Sequence, residues 1–147
     1  DLAEAAGGKK AELETVMRES DYISINVSLL PETRNMIDGK MLALMKPTAF
    51  IINCSRGGIV NEDALIKLLQ SKKIAGAGLD TFEHEPLPRE HPLLKLDNVI
   101  LTPHAAWYTM DALKELQGMA ARQAALVLTG KEPTRCVNYE AVKSFKK

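Results

Sequence analysis

The sequence predicts a layered α/β fold with a parallel sheet. Candidate strands alternate with candidate helices along the chain, and this order implies βαβ units. The candidate strands are short apolar runs, which are typical of strands buried in a parallel sheet. The chain has 147 residues, of which 46% are hydrophobic and 26% charged, an ordinary composition for one globular core.

The first elements follow from apolar spacing. Apolar residues at helical spacing predict a short helix over about residues 11–19. Alternation of apolar and polar residues predicts a strand over residues 22–27, followed by a loop over residues 28–33. Helical spacing that starts at Met41 predicts a second helix, which Pro47 ends.

The middle of the chain predicts two buried strands around a helix. The apolar run 49–52 predicts a strand, and residues 53–58 form a loop. Asn61 is suited to cap a following helix that carries three leucines at helical spacing. The small residues of segment 75–79 predict a strand that lies close under helices, because glycine permits close backbone approach.

The last elements are a short strand and a long helix. Residues 98–101 predict the strand, and apolar spacing predicts one helix over about residues 109–129. Gly130 and Pro133 close this helix, and the tail from Lys131 shows no clear period.

Charge and composition exclude several classes of function. Nineteen basic residues balance nineteen acidic ones, whereas a surface for nucleic acid or anionic membrane needs a basic excess. We expect neither a membrane span nor a signal peptide. Cys54 and Cys136 lack metal-ligand spacing, so a reduced cytoplasmic protein without a metal site is expected. The chain begins with Asp1, so we expect a fragment or a processed product.

Polar residues follow the end of each predicted strand. Ligands bind at the carboxyl ends of strands in open α/β sheets, so these residues are candidates for a site. Arginine forms a bidentate clamp for a carboxylate, and a histidine paired with a carboxylate is a tunable proton donor. The candidates after the four strands are Ser28; Cys54, Ser55 and Arg56; Asp80, Glu83 and Glu85; and Thr102, Pro103 and His104.

Each candidate also has a structural interpretation. Arg56 is compatible with a surface arginine beside a glycine turn, and His104 with a capping or buried histidine. Glu85 lies in a charged, proline-rich loop, where a solvated side chain is the default. The three together at one sheet edge favour an active site over three separate structural roles. His84 and His91 follow no strand end and receive no role.

Several motifs in order resemble the D-isomer-specific 2-hydroxyacid dehydrogenase family. They are NCSRGG at 53–58, GLDTFEHEP at 78–86 and NVILTPH at 98–104, with LPETRNMI at 30–37 and LALMKP at 42–47. The resemblance extends from about residue 12 to about residue 130. It implies an NAD(P)-dependent oxidoreductase that interconverts a D-2-hydroxy acid and a 2-oxo acid.

The resemblance implies a role for each motif residue. Arg56 holds the carboxylate and keto oxygen of the substrate, His104 is the general acid/base, and Glu85 hydrogen-bonds that histidine. Glu85 stands where formate dehydrogenases of the superfamily have glutamine, so formate is disfavoured. The implied cofactor is NAD or NADP, with NAD favoured, and its implied contacts are Ser28, Thr33, Cys54, Ser55, Arg56, Asp80, His104 and Ala106.

The segment His104–Thr109 resembles that of C-terminal-binding-protein-type members and of D-lactate dehydrogenases. Trp107 then either forms a wall of the substrate pocket, favouring a larger or apolar substrate, or packs between domains. The resemblance also allows a second function, a nucleotide-sensing protein-interaction module like the corepressor members, which residues 105–108 motivate. Neutral charge and the lack of a peptide-docking signature favour the enzyme.

The chain differs from the family's pattern at its start, because no G-x-G-x-x-G motif occurs in the sequence. We therefore expect the second half of a Rossmann-type parallel sheet with flanking helices in residues 1–108. Residues 109–147 are expected to be a long helix and tail that return toward a substrate domain. The chain alone is expected to be inactive. An exposed strand edge at residues 22–27 and the apolar face of the helix at about 109–129 lead us to expect dimerisation, domain swapping or additional chain, with a homo-oligomer such as a dimer favoured.

Overall fold

The computed structural model describes residues 2–143. These residues form four β-strands and six α-helices, with one 3₁₀ turn before the last strand. They are α1 (Leu2–Ala5), α2 (Leu13–Glu19), β1 (Tyr22–Ile25), α3 (Gly39–Leu42), β2 (Phe50–Asn53), α4 (Glu62–Gln70), β3 (Gly76–Leu79), the 3₁₀ turn (Pro92–Lys95), β4 (Val99–Leu101), α5 (Met110–Leu128) and α6 (Tyr139–Val142).

The four strands form one parallel sheet in the order β1-β2-β3-β4. Ile23 pairs with Ile51, Ile51 with Ala77, and Ala77 with Val99. These four residues therefore lie side by side across the sheet. A helix lies in each of the first two connections, and the 3₁₀ turn lies in the third. This architecture confirms the predicted α/β class with its parallel sheet, flanking helices and long C-terminal helix.

The core lies on one face of the sheet, because alternate strand residues point to opposite faces. Ile23 and Ile51 are buried there. Met17 of α2, Leu42 of α3 and Leu65 of α4 belong to the same buried cluster. Helix α3 contacts both α2 and α4, so the three helices form a layer over this face.

The opposite face of the sheet carries exposed apolar side chains. Tyr22 and Ile100 are 72% and 73% exposed, although each lies in a strand. The rings of Tyr22 and Phe50 stack at 5.6 Å between centroids. This face therefore combines strand backbone with exposed apolar surface.

The elements match the predicted order, and the differences lie at their ends. The first strand ends at Ile25, two residues before the predicted end. Helix α3 has only four residues and is followed by turns through Met45, so apolar spacing overestimated its length. The 3₁₀ turn was expected to be loop, and His91 caps it by accepting a hydrogen bond from the Leu93 amide.

Contacts divide the chain into two compact units, residues 1–106 and residues 107–147. In the second unit, Thr109 caps α5 by accepting a hydrogen bond from the Ala112 amide at 3.0 Å. Gly130 follows α5 with a φ of 74°, a conformation that favours glycine. The assignment of two domains with separate functions stays a prediction. Among the described residues, no helix is long and apolar enough to cross a bilayer.

The predicted cap of α4 is confirmed, because the Asn61 side chain accepts a hydrogen bond from the Ala64 amide at 2.9 Å. We expect Asn61→Ala to lower the free energy of unfolding by about 0.5–2 kcal/mol, because one helix-terminal amide loses its acceptor. Urea denaturation followed by circular dichroism measures this change. Asn61→Asp is the control and should retain wild-type stability, since aspartate caps equally well. Equal losses in both variants would contradict a capping role.

Candidate functional site

The carboxyl ends of the four strands bring the predicted site residues to one edge of the sheet. Two cavities lie among the residues that follow these ends. The first has a volume of about 480 Å³ and is lined by Asn26, Val27, Ser28, Leu29, Cys54, Ser55 and Arg56. The second has a volume of about 540 Å³ and is lined by Phe82, Glu85, Pro86, Leu87, Pro103 and His104.

His104 and Glu85 form a hydrogen-bonded pair in the second cavity. His104 Nδ1 lies 2.8 Å from Glu85 Oε2, and Glu85 Oε1 accepts a hydrogen bond from the Phe82 amide at 2.9 Å. The bond with His104, followed by the bond from Phe82, lowers the pKa of Glu85 below its ordinary value. Glu85 is therefore ionised at neutral pH. Because a carboxylate only accepts hydrogen bonds, we assign the Nδ1 proton to His104.

Asp80 is buried directly beneath this segment and is only 2% exposed. Its Oδ1 accepts hydrogen bonds from the Thr102 hydroxyl at 2.5 Å and the Ala105 amide at 2.8 Å. Its Oδ2 accepts from the Ala106 amide at 3.0 Å. Burial raises the pKa of Asp80, but the bonds from Thr102, Ala106 and Ala105 outweigh burial and lower the pKa. The carboxylate thus fastens β4 and the following turn to β3.

His104 has a left-handed backbone conformation, with a φ of 53°. This conformation is disfavoured for a residue with a Cβ atom by about 1–2 kcal/mol. The His104 amide donates to the Thr102 carbonyl at 3.0 Å, and the next two amides donate to Asp80. These bonds on both sides stabilise the unusual conformation that directs the imidazole toward Glu85.

The loop after β2 is shaped by Asn53, which sequence reasoning missed. Asn53 is buried, its Nδ2 donates to the Arg56 carbonyl at 2.9 Å, and its Oδ1 accepts from the Ser55 amide at 3.0 Å. The Ser55 hydroxyl donates to the Val27 carbonyl, which joins this loop to the one after β1. Arg56 Nη1 donates to the Ser55 carbonyl at 2.7 Å, and Cys54 is exposed. A polar residue at the end of an apolar run was the available signal for Asn53.

The loop after β1 is closed by the hydroxyl of Thr33. This hydroxyl donates to the Ser28 carbonyl at 2.7 Å and accepts from the Leu30 amide at 2.7 Å. Thr33 therefore fixes the shape of the loop that carries Ser28 along the first cavity. Its predicted contact with a cofactor stays a prediction.

The structure joins some of the predicted residues and separates others. Glu85 and His104 are in contact, whereas Arg56 lines the other cavity with Ser28, Cys54 and Ser55. The oxygens of Asp80 accept bonds from protein groups, so its expected contact with the nicotinamide stays a prediction. Trp107 belongs to the second unit, is 51% exposed, and packs edge-to-face on Tyr108 at 5.2 Å. Within residues 2–143, no group of three or more histidine, cysteine or acidic residues is arranged to hold a metal ion.

Comparison with protein families gives a match over residues 1–106. The matching family is described as "D-isomer specific 2-hydroxyacid dehydrogenase, NAD binding domain". A glyoxylate reductase of Thermofilum pendens is 46% identical over 90% of this chain and 39% of its own length. A glyoxylate reductase of Korarchaeum cryptofilum is 43% identical over 97% of this chain and 43% of its own length. The chain thus spans about two fifths of the length of these relatives.

A solved structure is similar in both fold and sequence. It is the NAD-complexed D-isomer-specific 2-hydroxyacid dehydrogenase of Lactobacillus delbrueckii ssp. bulgaricus. Its TM-score is 0.84 at 35% identity, over 93% of this chain and 46% of that one.

The hydrogen bonds that Asp80 accepts predict a loss of stability when a neutral amide replaces its carboxylate. We expect Asp80→Asn to destabilise the protein by about 1–3 kcal/mol near neutral pH, because a single amide oxygen replaces two acceptors of buried donors. Because the pKa of Asp80 is lowered in the folded state, its carboxylate contributes its full stabilisation of the fold at pH values above its unfolded-state pKa. This stabilisation is lost as the pH falls through the lower folded-state pKa. The difference in the free energy of unfolding between the wild type and Asp80→Asn should therefore become smaller at acid pH.

Urea unfolding of both proteins over a series of pH values measures this difference. Asp97→Asn is the matched control, because the Asp97 side chain is 81% exposed and faces only Lys72 at 3.7 Å. An equal loss of stability in both variants would contradict the proposed fastening by Asp80.

Proposed function

Because this chain belongs to the D-isomer-specific 2-hydroxyacid dehydrogenase family, we propose that it is the catalytic half of a dinucleotide-binding domain. The complete protein is proposed to interconvert a D-2-hydroxy acid and a 2-oxo acid with NAD or NADP as hydride carrier. The family description favours NAD. Relatives named glyoxylate reductase support a small 2-oxo acid as the substrate.

The contact between His104 and Glu85 carries this proposal. An ionised Glu85 accepts a hydrogen bond from the N–H at His104 Nδ1, with 2.8 Å between the two heavy atoms, and so fixes the orientation of the imidazole. We assign the exchange of a proton with the substrate oxygen to His104 Nε2. In reduction, Nε2 donates its proton to the keto oxygen and the imidazole becomes neutral. In oxidation, the neutral imidazole accepts the hydroxyl proton at Nε2.

Arg56 is proposed to bind the substrate carboxylate. Its guanidinium has a fork of N–H donors that matches two carboxylate oxygens. Asn53 fixes the backbone of this loop, and Nη1 of Arg56 already lies against the Ser55 carbonyl. An arginine held in this way orients the acid before any chemical step.

The first cavity is proposed to receive part of the dinucleotide, because it lies at the edge where open α/β sheets bind ligands. Residues of two loops line it, and the Ser55–Val27 hydrogen bond holds these loops together. Ser28, Cys54 and Ser55 are the residues that would contact the cofactor there, with Thr33 shaping the loop. When bound, the nicotinamide supplies or accepts the hydride.

We further propose that the protein is a homo-oligomer. The uncovered sheet face carries Tyr22, Phe50 and Ile100, and β1 lies at the edge of the sheet. Exposed apolar surface beside an open strand edge favours association with another chain. The proposal rests on this surface alone.

Kinetics of the complete protein test the acid/base assignment. We expect His104→Gln to lower kcat by about 100- to 10,000-fold, because glutamine does not carry the proton that the keto oxygen needs. We expect Arg56→Lys to raise KM for the 2-oxo acid by about tenfold, because an ammonium group lacks the bidentate fork.

His84→Gln is the matched control, since His84 is exposed and adjoins Glu85 in the chain. It should leave kcat and KM unchanged. Full activity in His104→Gln would overturn the proposed acid/base role.

A further inference from the structure

A second pair of histidine and carboxylate lies outside the two cavities. His91 Nε2 lies 3.3 Å from Glu62 Oε1, and the side chains are only 18% and 15% exposed. The side chains of His104 and Glu85 are 38% and 36% exposed. The His91–Glu62 pair is therefore the more enclosed of the two, although no strand end carries it.

Besides their mutual contact, the two side chains of this second pair each accept a hydrogen bond from a backbone amide. His91 Nδ1 accepts a hydrogen bond from the Leu93 amide at 3.4 Å, so Nε2 carries the proton that faces Glu62. Glu62 Oε2 accepts from the Glu83 amide at 3.3 Å. Glu62 is the first residue of α4, whose start the Asn61 cap fixes. The pair thus ties two points of the β3–β4 loop to a rigid helix.

The peptide between Phe82 and Glu83 is the point that this tie fixes. Its N–H, the Glu83 amide, donates to Glu62, while the preceding Phe82 amide donates to Glu85. On its carbonyl side the peptide lies against Gly57, where a Cβ atom would stand 1.9 Å from the Phe82 oxygen. One peptide is therefore held by α4, by the loop that carries Arg56, and by its proximity to Glu85.

We propose that Glu62 and His91 are positioning residues that hold Glu85 against His104. The inference rests on the proposed function and adds two residues to its machinery. Neither touches His104. They act by fixing the Phe82–Glu83 segment, which presents an amide to Glu85 Oε1, and by anchoring the far end of the same loop at the 3₁₀ turn. Without this anchor, the β3–β4 loop loses the geometry that keeps Glu85 hydrogen-bonded.

A structural role limited to the cap of the 3₁₀ turn predicts something different. The cap uses His91 Nδ1, whereas the tie to Glu62 uses Nε2. Asparagine places an acceptor where Nδ1 lies and has no atom that reaches as far as Nε2. His91→Asn therefore removes the tie and retains the cap, which separates the two roles.

Nuclear magnetic resonance of this chain provides the test. In His91→Asn and in Glu62→Gln, we expect the Glu83 and Phe82 amides to exchange with solvent about tenfold faster, because their acceptors are no longer held in place. We also expect the pKa of Glu85, followed at its side-chain carboxyl carbon, to rise toward its ordinary value as its hydrogen bonds weaken. Glu90→Gln is the control, since Glu90 adjoins His91 but forms only an exposed pair with Lys95.

The control should leave both measurements as in the wild type. If His91→Asn lowers thermal stability but leaves the Glu85 pKa and the two amides unchanged, the positioning role is overturned. These measurements need no substrate, so they are independent of turnover. Failure of the proposed function would instead show as normal activity of His104→Gln in the complete protein.

Discussion

The buried carboxylate of Asp80 is the interaction on which the site depends. It lies at the end of β3 and binds three donors from the segment that follows β4. Those bonds hold His104 in a left-handed conformation that its backbone disfavours. The lowered pKa of Asp80 keeps the carboxylate ionised, so all three bonds are available at neutral pH. One buried acid group thus directs the imidazole toward Glu85.

Much of the fold could be predicted from the sequence, because it follows from local patterns. Short apolar runs such as 49–52 identify buried parallel strands. Asn61 marks the start of α4, because its side chain accepts a hydrogen bond from the Ala64 amide in the first turn of the helix. Parallel strands bring their carboxyl ends to one edge, so topology placed Glu85 and His104 at the same edge, and the family resemblance implied their hydrogen bond. The strand order β1-β2-β3-β4 is a finding of the structure, since the local patterns predict the strands and not their neighbours.

The rest depends on contacts between residues distant in the chain, which no local pattern records. The sequence does not show that Asp80 accepts bonds from Ala105 and Ala106, or that His91 meets Glu62 across the β3–β4 loop. The sequence alone therefore predicts neither the hydrogen bonds that Asp80 accepts nor a role for His91. The short length of α3 was missed for a related reason, because apolar spacing does not fix where a helix ends.

The central claim is that an ionised Glu85 holds the Nδ1 proton of His104, and nitrogen-15 correlation spectra of the His104 ring test it most directly. The account predicts that Nδ1 is protonated at neutral pH, with a proton signal shifted downfield by the carboxylate. Glu85→Gln should remove that downfield shift. A spectrum in which Nδ1 carries no proton, or one that Glu85→Gln leaves unchanged, would contradict the account.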